Sequence, residues 1–294
     1  MARATTEGIV IDVRDDIAEL FDGEQTIDAF LAIDGVEARR FGNRSTRRFE
    51  RDGQGFYIKT HGPVGWWPII EDLLKLRHPQ VGARPEWEAI RAADSHGVPV
   101  PRIAAFGETG GLWSSRSSFL VTEEVAPAIS LEELFETSSV SPSFKRRLIR
   151  AVAQLAKRLH ESGLNHRDFY LCHFLLLDPP DNETTLPHLT LIDLHRAQVR
   201  PTVPRRWQLK DIAGLYFSAM DTGLSNRDLL LFLSCYSGRP LREILADEDG
   251  FWRDVRQRAH RLYRKIHGRA PYTTLINPEN PTRPETHLPT RRAA

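Results

Sequence analysis

The chain has 294 residues, 40% hydrophobic and 27% charged, enough apolar material for one large globular domain or for two lobes sharing a cleft. Its net charge of +1 excludes a polyelectrolyte, so attraction to any anionic partner has to come from local patches. Two cysteines, Cys172 and Cys235, build no disulfide framework and suit a reducing compartment, and no apolar run approaches the roughly 20 residues that span a bilayer.

In chain order, the opening Met1–Gly8 lacks the apolar segment of a secretory signal. Residues 47–60 predict a hairpin turning at Asp52-Gly53-Gln54-Gly55. Its second arm ends in Phe56-Tyr57-Ile58-Lys59, and strand alternation sets Lys59 opposite Ile58. Residues 85–96 predict a helix: Pro85 suits the first turn, Trp87, Ile90 and Ala93 recur at helical spacing, and Gly97 suits the stop. Val98-Pro99-Val100-Pro101 cannot continue it. Strands are expected at 102–107 and 119–123, around a Gly/Ser-rich turn at 107–118. From Ser141-Pro142 the period becomes helical, with Leu148, Val152, Leu155 and Leu159 forming one stripe up to Gly163. Leu189–Ile192 reads as a strand, 208–220 as a helix, and Ser225-Asn226-Arg227-Asp228 as a capping box with Asp in place of Glu. A basic helix follows at 251–267, and the Pro-rich tail 278–294 is expected to be poorly ordered. The pattern predicts an α+β fold: a strand-rich N-lobe over 1–124, a helical C-lobe over 125–277, and the functional site in the cleft between them.

The stretch His166-Arg167-Asp168-Phe169-Tyr170-Leu171-Cys172-His173 sets an Asp and a metal-ligating side chain five positions apart. Leu191-Ile192-Asp193-Leu194-His195 then delivers a second Asp at the end of an apolar run. That layout suits phosphoryl transfer: one carboxylate receives a hydroxyl proton, and two metal ligands come from neighbouring turns. Asp168 is the candidate base, with His166 and Arg167 holding its loop; a turn or cap aspartate is the bland alternative. His173 stands where protein kinases carry a metal-binding Asn. A neutral imidazole can ligate there, although Mg²⁺ prefers oxygen, and a histidine satisfied by backbone partners is the competing reading. Asp193 is the second metal-side candidate.

Upstream, Lys59 can reach the α- and β-phosphates of a nucleotide if a carboxylate on the following helix holds it, Glu86 in preference to Glu88. A solvated strand-end lysine is the alternative. Thr122-Glu123-Glu124-Val125 ends a strand at the lobe junction, where backbone groups of Glu123 and Val125 can meet adenine. A glycine-rich phosphate loop is not evident; Gly42-Asn43-Arg44-Ser45-Thr46 is the nearest candidate, with Arg44 compensating. Asp193-Leu194-His195 replaces the Asp-Phe-Gly of kinases and so lacks the glycine that lets that loop flip. Only a short stretch precedes the helix bearing Asp211, leaving little room for a protein-docking activation segment. Asp211 is expected to bind amides of the 166–168 loop from below, or else to cap its own helix. His160-Glu161 lacks the spacing of a zinc protease, and no His-Asp dipeptide supports a metallophosphohydrolase.

These stretches resemble the lipopolysaccharide core heptose kinase family, WaaP or RfaP. The likeness is carried by 56–66, Glu86–Ile90, Asn165–Leu176, Leu191–Gln198 and Trp207–Ala213, and spans roughly residues 40 to 267. The resemblance implies a two-lobed protein-kinase-like fold that uses ATP and Mg²⁺ to phosphorylate the first heptose of the inner core. It carries over Asp168 as base, Lys59 and Glu86 as the phosphate clamp, and Asp193 and His173 as metal-side residues. Kinases of other core sugars share the pattern, and a soluble small-molecule or tyrosine acceptor, or a non-catalytic nucleotide-binding scaffold, stays open.

A glycolipid acceptor accounts for two further features. Gly65–Leu76 is Trp-rich and amphipathic, suited to an inner-membrane surface or to a core-facing helix. Arg205-Arg206 and the run Arg253, Arg256, Arg258, Arg261, Arg264 and Lys265 either attract phosphate or form solvated helix faces. The expected location is the cytoplasm, peripheral on the inner membrane. No aromatic-interleaved motif points to nucleic acid.

Overall fold

Alternating apolar residues of the first half assemble a seven-stranded sheet whose two faces have different tasks. The computed structural model describes residues 2–6, 9–24, 26–63, 82–109, 116–177 and 186–271. The Trp-rich stretch, the centre of the 107–118 turn and the Pro-rich tail lie outside them. The strands are β1 (Ala2–Thr6), β2 (Ile9–Val13), β3 (Val36–Phe41), β4 (Arg44–Arg51), β5 (Gln54–His61), β6 (Ile103–Glu108) and β7 (Ser118–Glu123). Their spatial order is β1-β2-β6-β7-β5-β4-β3. The predicted hairpin is β4 and β5, turning at Asp52-Gly53. Between strands lie α1 (Ile27–Leu31) and α2 (Arg84–Ser95), the latter within a residue of its predicted bounds.

Cross-strand register decides which way Lys59 points. Ile58 pairs with Val121 and Lys59 with Leu120 across β5 and β7. Phe56, Ile58, Phe119 and Val121 face a cluster closed by Phe21, Ile27 and Phe30 from the segment before β3. Phe30 stacks on Phe119 with ring centroids 4.1 Å apart. Leu120 and Phe106 face the other way, against Ala89, Ile90 and Ala93 of α2. Strand alternation therefore turns Lys59 toward α2.

The second half contains β8 (Ala128–Ser130), α3 (Leu131–Thr137), α4 (Pro142–Glu161), β9 (Leu164–Asn165), β10 (Phe174–Leu177), β11 (His188–Leu191), β12 (Gln198–Val199), α5 (Arg205–Ala219), α6 (Asn226–Ser237), α7 (Leu241–Asp247) and α8 (Asp249–His267). It is mainly helical, as expected, and the strand expected at Leu189–Ile192 is present as β11; it pairs with β10, which pairs in turn with β8, two strands that periodicity did not announce, in a small three-stranded sheet. Ser141 caps α4 by accepting the Phe144 amide at 3.2 Å, and the Ser225–Asp228 capping box closes in both directions. The stripe Leu148, Val152, Leu155 and Leu159 is buried in a cluster that also holds α2, α5 and α8 residues, so the halves share one core. No helix among the described residues is long and apolar enough to cross a membrane.

Gly163 ends α4 with φ +82°, and a Cβ there would lie 1.9 Å from the carbonyl oxygen of Arg200. Its own carbonyl accepts the Arg200 amide at 2.9 Å, so the chains cannot part to make room. Gly163→Ala is expected to cost roughly 2–3 kcal/mol. Gly97→Ala, at φ +68° with nothing within 4 Å, should cost about 1 kcal/mol from backbone conformation alone. Denaturation midpoints compare them, and equal losses would show that the Arg200 approach carries no weight.

Candidate active site

The strand face that turns Lys59 toward α2 delivers its ammonium 2.6 Å from Glu86 Oε1 and 3.0 Å from Asp193 Oδ1. Pro85 opens the helix and places Glu86 in its first turn, buried, while the half-exposed Glu88 sits 3.8 Å from Arg84. Of the two candidates it is Glu86 that meets Lys59, while Glu88 faces Arg84. Burial works to discharge Lys59, but Glu86 and Asp193 outweigh it and hold the ammonium above its usual range. Burial likewise opposes charge on Asp193, yet the hydrogen bond from His195 and the Lys59 charge hold its carboxyl well below the usual range.

Asp193 follows β11 with a left-handed backbone, φ 64° and ψ 52°, which turns its side chain into the cleft. His195 Nδ1 donates to its Oδ1 at 2.8 Å. His173 Nδ1 donates to the Asp168 carbonyl at 2.6 Å, which in the neutral ring leaves the lone pair on Nε2, 3.6 Å from Asp193 Oδ2. Two electron-rich atoms face each other there, an arrangement a cation between them would relieve.

Asp168 sits in a loop set by Asp211. Asp211 is fully buried in α5 and accepts the amides of His166 at 2.6 Å and Arg167 at 2.8 Å. It lies inside that helix and not at its start, which rules out the capping alternative. The bonds hold Arg167 at φ 75°, strained for a side-chain-bearing residue. His166 Nε2 donates to the Ile192 carbonyl at 3.0 Å and ties this loop to the Asp193 turn. The Asp168 side chain keeps 16% exposure; Arg196 holds Oδ1 at 2.6 Å, and Oδ2 has no hydrogen bond among the described residues.

At the lobe junction the outcome is mixed. The Glu123 amide is spent on Arg102 at 2.9 Å and its carboxylate on Arg14 and Arg102, so that amide is not available to a base. The Val125 amide has no partner among the described residues. The Gly42-Asn43 turn joins β3 to β4, and Asn43 accepts the Gly62 amide at 2.8 Å, which brings the turn beside the end of the Lys59 strand. Arg44 is pushed down by burial and pulled back by Glu86, close enough to feel the clamp carboxylate.

Three residues were quoted in motifs without a role: His61, His195 and Arg196. His195 and Arg196 fix the two carboxylates that matter, and their signal was position, two and three residues after Asp193. His61 is buried beside the clamp and pushed down to about 3 by burial, with the charges of Arg44, Lys59 and His195 adding to it. His166 is pushed down to about 4, again chiefly by burial. An unfolded histidine titrates near about 6.5, so between these values the unfolded chain binds more protons than the folded one. Stability should therefore be complete above about pH 6.5 and fall as pH drops toward 4, on the order of 1 kcal/mol per pH unit for each histidine. His166→Asn keeps an N–H donor and should make the slope shallower; denaturation across a pH series measures it, and an unchanged slope would contradict a neutral buried His166.

The Lipopolysaccharide kinase (Kdo/WaaP) family pattern matches residues 31–236. The chain is 43% identical over 250 residues to the lipopolysaccharide core heptose(I) kinase WaaP of Pseudomonas aeruginosa, covering 84% of this chain and 93% of that one. The enzyme of the same name from Escherichia coli K12 is 39% identical over 256 residues, 86% of this chain and 97% of its own. A solved structure of WaaP in complex with acyl carrier protein superposes with a TM-score of 0.73 at 40% identity, covering 86% of this chain and 99% of that one. The β-rich first half, the helical second half and the Lys59–Asp193 cleft are thus those of a kinase-like fold, and the chain belongs to the lipopolysaccharide kinase (Kdo/WaaP) family.

Proposed function

We propose that the chain transfers the γ-phosphoryl group of ATP to a heptose hydroxyl of the lipopolysaccharide inner core, in the cleft between an N-lobe ending at residue 124 and a C-lobe beginning at 125. The observation that carries this reading is the convergence of Lys59, Glu86 and Asp193 within 3.0 Å contacts, with Asp168 joined to them through His173. The names of relatives matched along nearly their whole length support the heptose acceptor.

Lys59, held by Glu86, neutralises α- and β-phosphate oxygens. Asp168 Oδ2 accepts the acceptor's hydroxyl proton while Arg196 fixes the other carboxylate oxygen. The oxygen then forms its bond to the γ-phosphorus, the bond to the leaving ADP oxygen breaks, and the proton stays on Asp168 until solvent removes it. Val125 offers its amide to adenine, beside Glu123 at the strand end. Asp193 and the Nε2 lone pair of His173 would hold Mg²⁺; no cluster of three or more ligating side chains occurs among the described residues, which fits an ion completed by phosphates and water. Bound there, Mg²⁺ supplies neutralisation of developing phosphate charge.

The acceptor is a glycan and not a protein, because residues 194–204 leave no room for a long activation segment before α5. ATP places the reaction on the cytoplasmic side, at the inner-membrane surface that carries the glycolipid. We also propose a carrier partner, supported by one solved WaaP structure that is a complex with acyl carrier protein. In this chain an apolar cavity of about 290 Å³ opens among Leu131, Phe135, Leu148, Val152, Leu215 and Trp252. It suits an acyl chain presented by such a carrier. Acylated carrier protein should raise the thermal midpoint by several degrees, as a ligand in excess does, and Val152→Phe should abolish the rise. A midpoint indifferent to the carrier would remove it as a partner.

Labelled ATP offered with dephosphorylated core glycolipid, free sugars and protein tests the reaction; label on protein and none on core would overturn the acceptor. Asp168→Asn should bind ATP normally and lose roughly 10²–10⁴-fold in turnover, the span of a positioned base. Lys59→Ala and Asp193→Ala should each depress turnover strongly, the latter with loss of its metal dependence. An Asp168→Asn enzyme at full rate would reduce Asp168 to a turn residue.

A further inference from the structure

A second cavity, of about 210 Å³, lies where four helix ends meet. α4 and α6 finish there with Lys157, His160 and Tyr236, while α5 and α8 begin with Arg205, Gln208 and Phe251. Two negative and two positive helix ends oppose one another, so the side chains decide what the cavity attracts. Their charges leave one cation over. Glu248 is committed to the Trp252 indole N–H at 3.2 Å, to Ser237 at 3.4 Å and to Arg239 at 3.3 Å. Glu161 answers Lys157 at 3.8 Å. Arg205 has no carboxylate within ion-pair distance among the described residues; its guanidinium carbon lies 4.6 Å from the centre of the Phe251 ring, and its charge acts on the Tyr236 hydroxyl. The cavity thus presents a guanidinium flattened on an aromatic ring, an ammonium and the Gln208 amide, a donor set that suits an oxyanion. Its volume lies below the roughly 300–1,000 Å³ of drug-sized sites, so the ligand is small.

The floor of this cavity is also the back of the Asp168 loop. The Tyr236 hydroxyl lies 2.7 Å from His160 Nδ1, and His160 Nε2 lies 3.3 Å from Asp211 Oδ2. Asp211 in turn holds the amides of His166 and Arg167. His160 and Asp211 are both buried, so neither has water to turn to when a partner leaves. Tyr236 has one proton to give. With Nε2–H donating to the Asp211 carboxylate, that proton goes to Nδ1 and fixes the tautomer. An oxyanion on Arg205 competes for the same proton, and a charge-assisted hydrogen bond outweighs a neutral one. Nδ1 then loses its donor in a buried position, and the bond from His160 to Asp211 is no longer secured. We infer that the cavity is an inhibitory site for a small oxyanion, a phosphate monoester or carboxylate of a few carbon atoms, which slows turnover by drawing the Tyr236 proton away from the His160–Asp211 chain. The inference rests on the kinase reading for its effect on turnover and not for the binding itself.

Calorimetry with the nucleotide cleft filled by a non-hydrolysable ATP analogue reads the cavity alone. Inorganic phosphate, glycerol 3-phosphate and glycerate are the probes, and their ranking separates the phosphate from the carboxylate source. Whichever binds should lose about 10-fold in affinity in Arg205→Ala, the scale of one charge-assisted hydrogen bond, and recover most of it in Arg205→Lys. ATP affinity should stay within about twofold in both variants as the folding control. In turnover assays the saturating probe should lower kcat several-fold and leave the KM for ATP unchanged. Arg205→Ala should match the wild-type rate without the probe and resist inhibition with it. Tyr236→Phe, with no proton to compete for, should start slower and respond no further. Absence of binding by all three probes, or binding that Arg205→Ala leaves unchanged, overturns the site. Inhibition that raises the KM for ATP with kcat intact places the probe in the nucleotide cleft and overturns it too. Binding with turnover unchanged, or Tyr236→Phe inhibited as strongly as the wild type, overturns the inhibitory coupling. An enzyme that transfers phosphate to no acceptor strikes the kinase reading, and calorimetry still decides the site.

Discussion

The ammonium of Lys59 is the joint at which the two halves of the molecule meet. It is held by a carboxylate from α2 on one side and by one from the turn after β11 on the other, 2.6 and 3.0 Å away. A half-buried charge is tolerable only while its partners stay in place, and removing one member leaves the others uncompensated. Glu86 makes the dependence plain, because its second oxygen is buried without a hydrogen bond and Lys59 is its recorded partner. Glu86 cannot retreat, since Ala89, Ile90 and Ala93 pin its helix in the shared core. Lys59 cannot either, since the β5–β7 register fixes its direction. The triad therefore sets the position of one half against the other.

A second constraint acts from below. Arg167 adopts a backbone that few residues with side chains accept, and Asp211 stabilises it with two short amide bonds. Behind Asp211, His160 Nε2 lies 3.3 Å away and its Nδ1 lies 2.7 Å from the hydroxyl of Tyr236. With Nε2 as donor, Nδ1 accepts the Tyr236 proton, so one chain of hydrogen bonds runs from α6 through α4 and α5 to the loop of Asp168. Such buried networks hold a single geometry when every member is satisfied. The Asp168 carboxylate thus inherits its position from helices far from the cleft.

Much of this was legible because its causes are local. A Pro in the first turn and a Gly past the last bound α2 to within a residue, and the Ser225–Asp228 box announced α6. The Asp52-Gly53 turn announced the hairpin that carries Lys59. Asp168, His173 and Asp193 were singled out by spacing, each lying in a short loop or turn, and Asp211 was singled out on the helix that holds the first of these loops. What escaped has non-local causes. Of the β11-β10-β8 sheet only β11 was expected; β8 and β10 are three and four residues long, too short for an alternation to show. The residues before β3 follow no strong pattern, and only the outer face of the sheet explains why Phe21 and Phe30 are buried. The cations gathered around Trp207 come from three separate segments, and no single stretch of sequence announces them together.

The Asp193-Leu194-His195 turn shows how the departures from a protein kinase fit together. Without a glycine, the left-handed conformation falls on Asp193 itself, and His195 returns to bind the carboxylate of the residue that carries the strain. Leu194 is fully buried in the shared core, so the turn is anchored on its apolar side too. A turn held at both ends has little reason to flip, and a site that does not flip needs no segment to switch it. The following residue, Arg196, then reaches Asp168 at 2.6 Å and links the two carboxylates of the cleft through one short stretch.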